Sequence, residues 1–409
     1  MEAHALYLAV IAALVVVIVY ASAKAVRAHR VLAAIEERFG LAARGSSVPR
    51  GDGAPLRRLA PADLLRPRTL DEYRREVDDL IARAGAAGEF GADTRLAGAC
   101  GAALAGGKRL RAIILLEVAR ATSVRLADSA AAEDTAAIAA TPVDAAEAAL
   151  FVEYIHTASL VIDDTPAFDN DDRRRGRPAL HAAEGTAVAT LAAVALLAAA
   201  FQNMCRQLDW IRDNCPEVKN VDRIGTRICS DVSRALGAAG AAGGQCMDVA
   251  TGAELAEHGP DAVADLVYRK TATFFETAVV AGWLVAGGAP AETDAMRDIG
   301  RGVGTAFQIA DDITDMAADA ARAASGRSGW NFANTYGRDV AAAEVERCLR
   351  GARLALRRAH LWTALWEDEL FPAIRAMAAA PAPALRPLTG AAAAAAAAAP
   401  GAAPAPTAA

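Results

Sequence analysis

The chain has 409 residues, of which 54% are hydrophobic, 5% aromatic and 22% charged. This apolar share is large enough for a buried core, which excludes a globally disordered or collagen-like chain. Ala is the best helix former and strands prefer aromatic and β-branched residues, so the composition predicts an all-α protein. A formal net charge of −6 argues against a general nucleic-acid binder, whose phosphate contacts need a basic face.

Residues 5–23 form an uncharged apolar stretch near the N-terminus. At about 1.5 Å per helical residue, it is long enough for the roughly 30 Å hydrocarbon core of a bilayer. Lys24, Arg27 and Arg30 follow it, and the positive-inside rule then leaves the body of the protein on the cytoplasmic side. We predict a single-pass membrane anchor over residues 1–30. A cleaved secretory signal is the alternative, but the basic region before the apolar stretch is missing.

Composition divides the rest of the chain into three parts. A linker over residues 31–68 collects Gly, Pro, Ser and Arg, and residues 381–409 form an Ala/Pro-rich tail that we expect to be disordered. The working domain is predicted over residues 69–380. Its apolar stretch at 182–200 is rich in small residues and flanked by charge, so we expect a bundle helix there and not a second membrane span.

A first carboxylate cluster follows an apolar segment and precedes four arginines. Its members are Asp163, Asp164, Asp169, Asp171 and Asp172. Pro166 cannot continue a helix, so we expect the helix to end near it and the chain to curl Asp169 back toward Asp163. Clustered carboxylates repel one another unless cations neutralise them, and hard oxygen ligands suit Mg²⁺. The arginines would supply forked donors for phosphates that share the metal.

A second cluster lies in FQIADDITD at residues 307–315. At 100° per residue, one polar arc of a helix carries Gln308, Asp311, Asp312 and Asp315, with two isoleucines opposite. A solvated acidic surface would explain one such cluster. Two clusters, each with an apolar approach, favour metal ions held around a diphosphate.

A basic segment, GGKRLR at residues 106–111, precedes an apolar run. We expect its glycines to open a helix, with Lys108 and Arg111 on one face and the first amides available to an anion. It is not a Walker loop, because Gly107 stands where that loop needs lysine. A solvated basic helix start is the alternative.

With these motifs in order, the chain resembles the trans-isoprenyl diphosphate synthases of the polyprenyl synthetase family, and most of all geranylgeranyl diphosphate synthases. The resemblance covers residues 69–380. Its motifs are GGKRLR at 106–111, DDTPAFD at 163–169 followed by RRGRP, GGQ at 243–245, KT at 270–271 and FQIADDITD at 307–315. It implies an isoprenoid-synthase-type helical bundle around a central cavity. It also implies a homodimer, or a heterodimer with another synthase, that condenses isopentenyl diphosphate with an allylic diphosphate.

The resemblance also implies roles for individual residues. Three Mg²⁺ ions that bridge the allylic diphosphate would be bound by Asp163, Asp164, Asp169, Asp311 and Asp312, with Asp315 completing the metal group. The allylic side would further be lined by Arg174, Lys270, Thr271 and Gln308. Isopentenyl diphosphate would be held by Lys108, Arg111, His156 and Arg175.

Product length and one departure from the family complete these expectations. In the family that the chain resembles, bulky residues four and five positions before the first aspartate form the floor of the cavity. Here those positions are Ser159 and Ala158, which are small, so the resemblance predicts a C20 product over C15. Residues 316–336 contain no lysine where the family places several, only Arg322 and Arg327, which predicts weakened turnover.

Two other classes of protein remain open. A non-catalytic or weakly active regulatory subunit of a heteromeric synthase has no need of intact aspartate motifs. A terpene cyclase shares one aspartate motif, but it has no use for GGKRLR or for a second DDxxD.

Overall fold

The computed structural model describes residues 60–379 except 92–93, 133–141, 251–253, 256, 260 and 325–328. The predicted membrane anchor at 1–30, most of the predicted linker at 31–68 and the predicted tail at 381–409 lie outside the described residues. Arg327 also lies outside them.

Helices account for nearly all of the described chain. They are α1 (Pro61–Leu65), α2 (Leu70–Ala86), α3 (Thr94–Leu104), α4 (Leu110–Ala132), α5 (Ala146–Asp163), α6 (Leu180–Glu184), α7 (Thr186–Asn214), α8 (Val221–Leu236), α9 (Ala241–Asp248), α10 (Ala262–Val267), α11 (Thr273–Val285), α12 (Thr293–Ala324), α13 (Phe332–Tyr336), α14 (Arg338–Arg358) and α15 (Phe371–Ala379). Two π-helical turns, Tyr268–Ala272 and Leu365–Leu370, lead into α11 and α15. An antiparallel hairpin of β1 (Arg173–Arg174) and β2 (Arg177–Pro178) follows α5. The predicted all-α class is confirmed for this part of the chain.

The centre of the bundle is formed by α5 and α11. Every residue of α11 is buried, and α5 is buried along most of its length, as expected for helices that are apolar all round. Small residues set the close crossings. A Cβ at Gly282 would lie 2.5 Å from the carbonyl oxygen of Leu115 on α4, and one at Gly300 would lie 2.4 Å from the Cα of Glu276. Glycine therefore lets α4 and α12 approach α11.

The apolar helix α7 packs along α5. By length and composition alone it could cross a membrane. It nevertheless buries the polar side chains of Asn203 and Gln207, and Gln207 Nε2 donates to the carbonyl oxygen of Asp144 at 2.9 Å. These contacts are those of a bundle helix.

Candidate active site

The first aspartate loop, residues 164–172, joins α5 to the hairpin. The amide of Asp169 donates to the carbonyl oxygen of Asp163 at 2.9 Å, and that of Asp171 donates to the carbonyl oxygen of Asp164 at 3.1 Å. The prediction that the helix ends here and the chain curls back is therefore confirmed. The loop brings Asp163 and Asp169 to the same side, where Lys270 lies.

Lys270 is the cation of this carboxylate group. Its Nζ donates to Asp248 Oδ2 and lies 3.9 Å from Asp169 Oδ2. Burial alone would lower the pKa of Lys270, but the carboxylates of Asp248, Asp163 and Asp169 raise it above its usual value. Burial is also the main reason that the pKa of Asp163 rises to about 7. Several carboxylates thus share one lysine in a poorly solvated place.

Close packing of backbones explains Gly244 in the GGQ motif at residues 243–245. A Cβ at Gly244 would lie 2.6 Å from the backbone nitrogen of Lys270, so only glycine lets α9 lie against the π-helical turn that carries Lys270. Gln245 Nε2 then reaches Asp169 Oδ1 at 3.4 Å. π-helical turns of this kind occur frequently at functional sites.

Asp164 faces a different partner. Arg174 binds both of its carboxylate oxygens, with Nε at 3.0 and 3.1 Å. The structure thus separates Asp164, which is paired with Arg174, from Asp163 and Asp169, which face Lys270.

The second aspartate group lies on α12, which confirms the predicted helix over residues 307–315. Thr271 Oγ1 donates to Gln308 Oε1 at 2.8 Å, and Gln308 Nε2 donates to Asp312 Oδ1 at 2.7 Å. Asp312 Oδ2 accepts the amide of Phe332 at 2.8 Å, yet burial still raises the pKa of Asp312 to about 7. Asp315 is exposed on the same helix.

The predicted geometry of the basic segment is wrong in one respect. α4 begins at Leu110 and not at the glycines, because Gly106, Gly107 and Arg109 all have positive φ. Lys108 therefore lies before the helix and does not share a face with Arg111. Its Nζ pairs with Asp311 Oδ1 at 3.2 Å and lies 4.9 Å from the ring centre of Phe307.

Arg111 turns inward to His156. Its Nη1 lies 3.0 Å from His156 Nε2, so that Nε2 accepts and the ring proton is assigned to Nδ1. Burial lowers the pKa of Arg111 to about 10, and burial together with Arg111 and Arg175 holds the pKa of His156 well below its usual range. Arg111 Nε and His156 Nδ1 have no hydrogen-bond partner within the described chain. Two buried N–H groups of this basic pair therefore lack a hydrogen bond.

Arg175 completes this basic group from the hairpin. Arg175 and Gly176 both have positive φ, as a tight two-residue turn between strands requires. Arg175 Nη1 donates to the carbonyl oxygen of Gly106 at 2.7 Å. A Cβ at Gly107 would lie 2.8 Å from Arg175 Cζ, at the end of a side chain that can shift, so the second glycine of GGKRLR is explained by its φ of +112°.

The chain-length candidates differ in their surroundings. Ala158 is fully buried, whereas Ser159 is partly exposed and lies on the face of α5 that carries His156 and Asp163. Ser159 Oγ donates to the carbonyl oxygen of His156 at 2.9 Å. Of the two residues, only Ser159 therefore lies on the face of α5 that carries the aspartate.

The donor chemistry fits Mg²⁺. The acidic groups offer carboxylate oxygens alone, which are the hard ligands that this ion prefers, and burial leaves Asp163 and Asp312 in need of a cation to hold them ionised. Within the described ranges, no three His, Cys, Asp or Glu side chains already stand grouped as metal ligands. The aspartates lie on two facing elements, the first aspartate loop with α5 and the helix α12.

Sequence reasoning missed two residues of this site. Asp248 lies one turn after Gln245 on α9, and that i,i+3 spacing was the available signal. Asn331 is 1% exposed, and its Nδ2 donates to the carbonyl oxygen of Asp312 at 2.7 Å and to Asp319 Oδ2 at 2.8 Å. Nothing in the local sequence pointed to Asn331, because its partners lie on another helix.

Comparison with known proteins agrees with these motifs. The model of the polyprenyl synthetase family matches residues 94–327. A trans-prenyltransferase of African swine fever virus is 33% identical over 304 residues, which are 74% of this chain and 83% of that protein. A heterodimeric geranylgeranyl pyrophosphate synthase large subunit 2 of Arabidopsis thaliana is 35% identical over 215 residues, 52% of this chain and 50% of that protein.

Solved structures give the same fold. A geranyltransferase from Legionella pneumophila superposes with a TM-score of 0.57 at 22% identity, over 76% of this chain and 96% of that one. A geranyltranstransferase from Thermotoga maritima superposes with a TM-score of 0.54 at 21% identity, over 76% and 98%. The fold is that of the isoprenoid synthases. The chain belongs to the polyprenyl synthetase family, and it is a prenyltransferase.

Proposed function

We propose that this prenyltransferase condenses isopentenyl diphosphate with an allylic diphosphate in a Mg²⁺-dependent reaction and releases geranylgeranyl diphosphate, a C20 product. One observation carries the proposal: five motifs far apart in sequence are joined around one site. Lys108 bonds Asp311, Thr271 bonds Gln308, and Gln245 and Lys270 reach Asp169.

The basic group is proposed to hold isopentenyl diphosphate. Arg111 and His156 offer the unpartnered donors, and Arg175 adds charge beside them. Lys108 can leave Asp311 for a phosphate, since the pair is exposed and such pairs contribute only about 0–1 kcal/mol.

The carboxylate groups are proposed to hold the allylic diphosphate through Mg²⁺, three ions in the family pattern, with Asp163, Asp164, Asp169, Asp311 and Asp312 as ligands and Asp315 beside them. When bound, Mg²⁺ neutralises the negative charge that develops on the departing diphosphate. Arg174 and Lys270 add fixed positive charge there, and Thr271 and Gln308 orient Asp312.

The reaction then follows from these positions. The allylic C–O bond breaks and its electron pair leaves with the diphosphate. The double bond of isopentenyl diphosphate attacks the allylic cation to form the new C–C bond, and a proton passes to the released diphosphate. The apolar faces of α5 and α11 exclude water from the cation.

The experiment is elongation by the purified full-length chain with Mg²⁺, isopentenyl diphosphate and each of dimethylallyl, geranyl and farnesyl diphosphate. Products are sized by chromatography. We expect C20 chains, and no elongation above background would contradict the proposal in favour of the regulatory-subunit alternative.

Ser159→Phe should shorten the product to C15, because the ring would close the space beside Asp163. An unchanged C20 product would show that another residue forms the floor.

Location and assembly are proposed on the sequence alone. The chain would be a single-pass membrane protein with its enzymatic domain on the cytoplasmic side, and a homodimer or a heterodimer with another synthase. The full-length protein should sediment with membranes and lose this property when residues 1–30 are deleted. A soluble full-length protein would contradict the anchor.

A further inference from the structure

Arg322 lies in the last turn of α12, in the segment where the family places lysines. Its Nη2 lies 3.2 Å from Asp171 Oδ2 on the first aspartate loop, across the site. The two side chains are 33% and 20% exposed, so the pair is partly shielded from water. This contact joins the first aspartate loop directly to the helix of the second aspartate group.

Backbone hydrogen bonds connect Asp171 to Asp164, which is one of the proposed metal ligands. Its amide donates to the carbonyl oxygen of Asp164 at 3.1 Å, and its own carbonyl oxygen lies 3.0 Å from His181 Nε2. A displacement of Asp171 would therefore also displace Asp164, the residue that follows Asp163. The loop is therefore held to the end of α5 through Asp164, to α6 through His181 and to α12 through Arg322.

Arg322 also acts on carboxylates of both acidic groups. Its charge lowers the pKa of Asp169 on the loop and of Asp315 and Asp319 on α12, in each case against the larger raising effect of burial. Without Arg322, the negative charges of the loop and of α12 would be compensated less well, and like charges repel in a poorly solvated site.

We propose that Arg322 is a positioning residue that acts through Asp171 to hold the first aspartate loop against α12, and so sets the separation between the two carboxylate groups. Its consequence for turnover rests on the proposed function, whereas its effect on the loop does not. Arg322 thereby supplies a positive charge at the site from a segment that contains no lysine.

The test measures the loop directly. Hydrogen–deuterium exchange of peptides covering residues 163–172 is followed in the full-length protein without substrate, for wild type, Arg322→Gln, Asp171→Asn and the double variant. Arg322→Lys tests rescue. Arg350→Gln is the control, since Arg350 is exposed on α14. We expect about threefold to tenfold faster exchange in both single variants, no further increase in the double variant and partial recovery in Arg322→Lys.

A second readout links the loop to metal binding. Arg322→Gln should raise the Mg²⁺ concentration for half-maximal thermal stabilisation in the presence of inorganic diphosphate, by about tenfold, the lower end of the effect of losing a residue that orients metal ligands. Exchange unchanged in Arg322→Gln, or effects of the two single variants that add fully in the double variant, would overturn the proposal. Failure of elongation in wild type would instead count against the proposed function and leave the exchange result intact.

Discussion

The two sides of the site differ in how their buried charge is compensated. On the basic side, Arg111 and His156 lie against each other with donors that have no partner within the described chain. On the acidic side, Asp163 and Asp169 already face Lys270. Under the proposed function, the basic side therefore receives an anion directly, whereas the acidic side, with its surplus carboxylate charge, receives an anion only together with cations.

This difference explains the directions of the pKa shifts. Burial disfavours charge on both sides, so it lowers the pKa of Arg111 to about 10 and raises that of Asp163 and Asp312 to about 7. A bound anion would stabilise the charged form of Arg111, and bound cations would stabilise the ionised forms of Asp163 and Asp312. A diphosphate with Mg²⁺ would supply both.

The largest effect should come from removing a carboxylate. Asp163→Asn should lower kcat by about 10²–10³-fold, as expected when one group that stabilises developing charge is lost. Steady-state elongation rates at saturating Mg²⁺ measure it. The matched control is Asp298→Asn, an exposed aspartate on α12 that pairs with Arg301. A loss that the control reproduces would contradict the assignment of the acidic side.

The next effect should come from the basic side and should be selective. Arg111→Gln should raise KM for isopentenyl diphosphate by about 10–100-fold, because a hydrogen bond to a charged group is lost. KM for the allylic diphosphate should change much less. Initial rates with each substrate varied in turn measure the two values, with Arg350→Gln as the control. Equal increases in both KM values would mean that the two sides are not distinct.

The smallest effect concerns stability. The pKa of Asp163 in the folded protein, about 7, lies above the unfolded value of 3.8, so the folded state binds more protons between these values and the free energy of unfolding falls as pH rises through this window. The stability advantage of Asp163→Asn over wild type, measured without metal, should therefore grow by about 1 kcal/mol between pH 6 and pH 8. Denaturant unfolding in EDTA at pH 6 and pH 8 measures this, and an advantage that does not grow over this range would refute the pKa argument.

The sequence predicted the parts of the site that depend on local pattern. Pro166 and the apolar run before Asp163 were enough to predict the helix end, and the period of 307–315 was enough to predict α12. The predicted start of α4 was wrong because Arg109 has a positive φ, a conformation that a non-glycine residue rarely adopts, and the helix therefore begins only at Leu110.

Other parts depend on contacts between distant segments. Asn331 caps α13 and also bonds the carbonyl oxygen of Asp312, and Arg322 meets Asp171 across 151 positions of sequence. Neither pairing follows from periodicity or spacing. The absence of lysine from residues 316–336 indicated only that this segment differs from the family. The structure shows the contacts that its residues make, from Arg322 to Asp171 and from Asn331 to Asp312.

The most direct test of the difference between the two sides is binding in the presence and absence of metal. Calorimetric titration of the full-length protein with isopentenyl diphosphate alone, and with geranyl diphosphate alone, is carried out in Mg²⁺ and in EDTA. We predict that isopentenyl diphosphate keeps its affinity within about tenfold in EDTA, whereas geranyl diphosphate loses about 100-fold or more. An equal loss for both ligands would contradict the account.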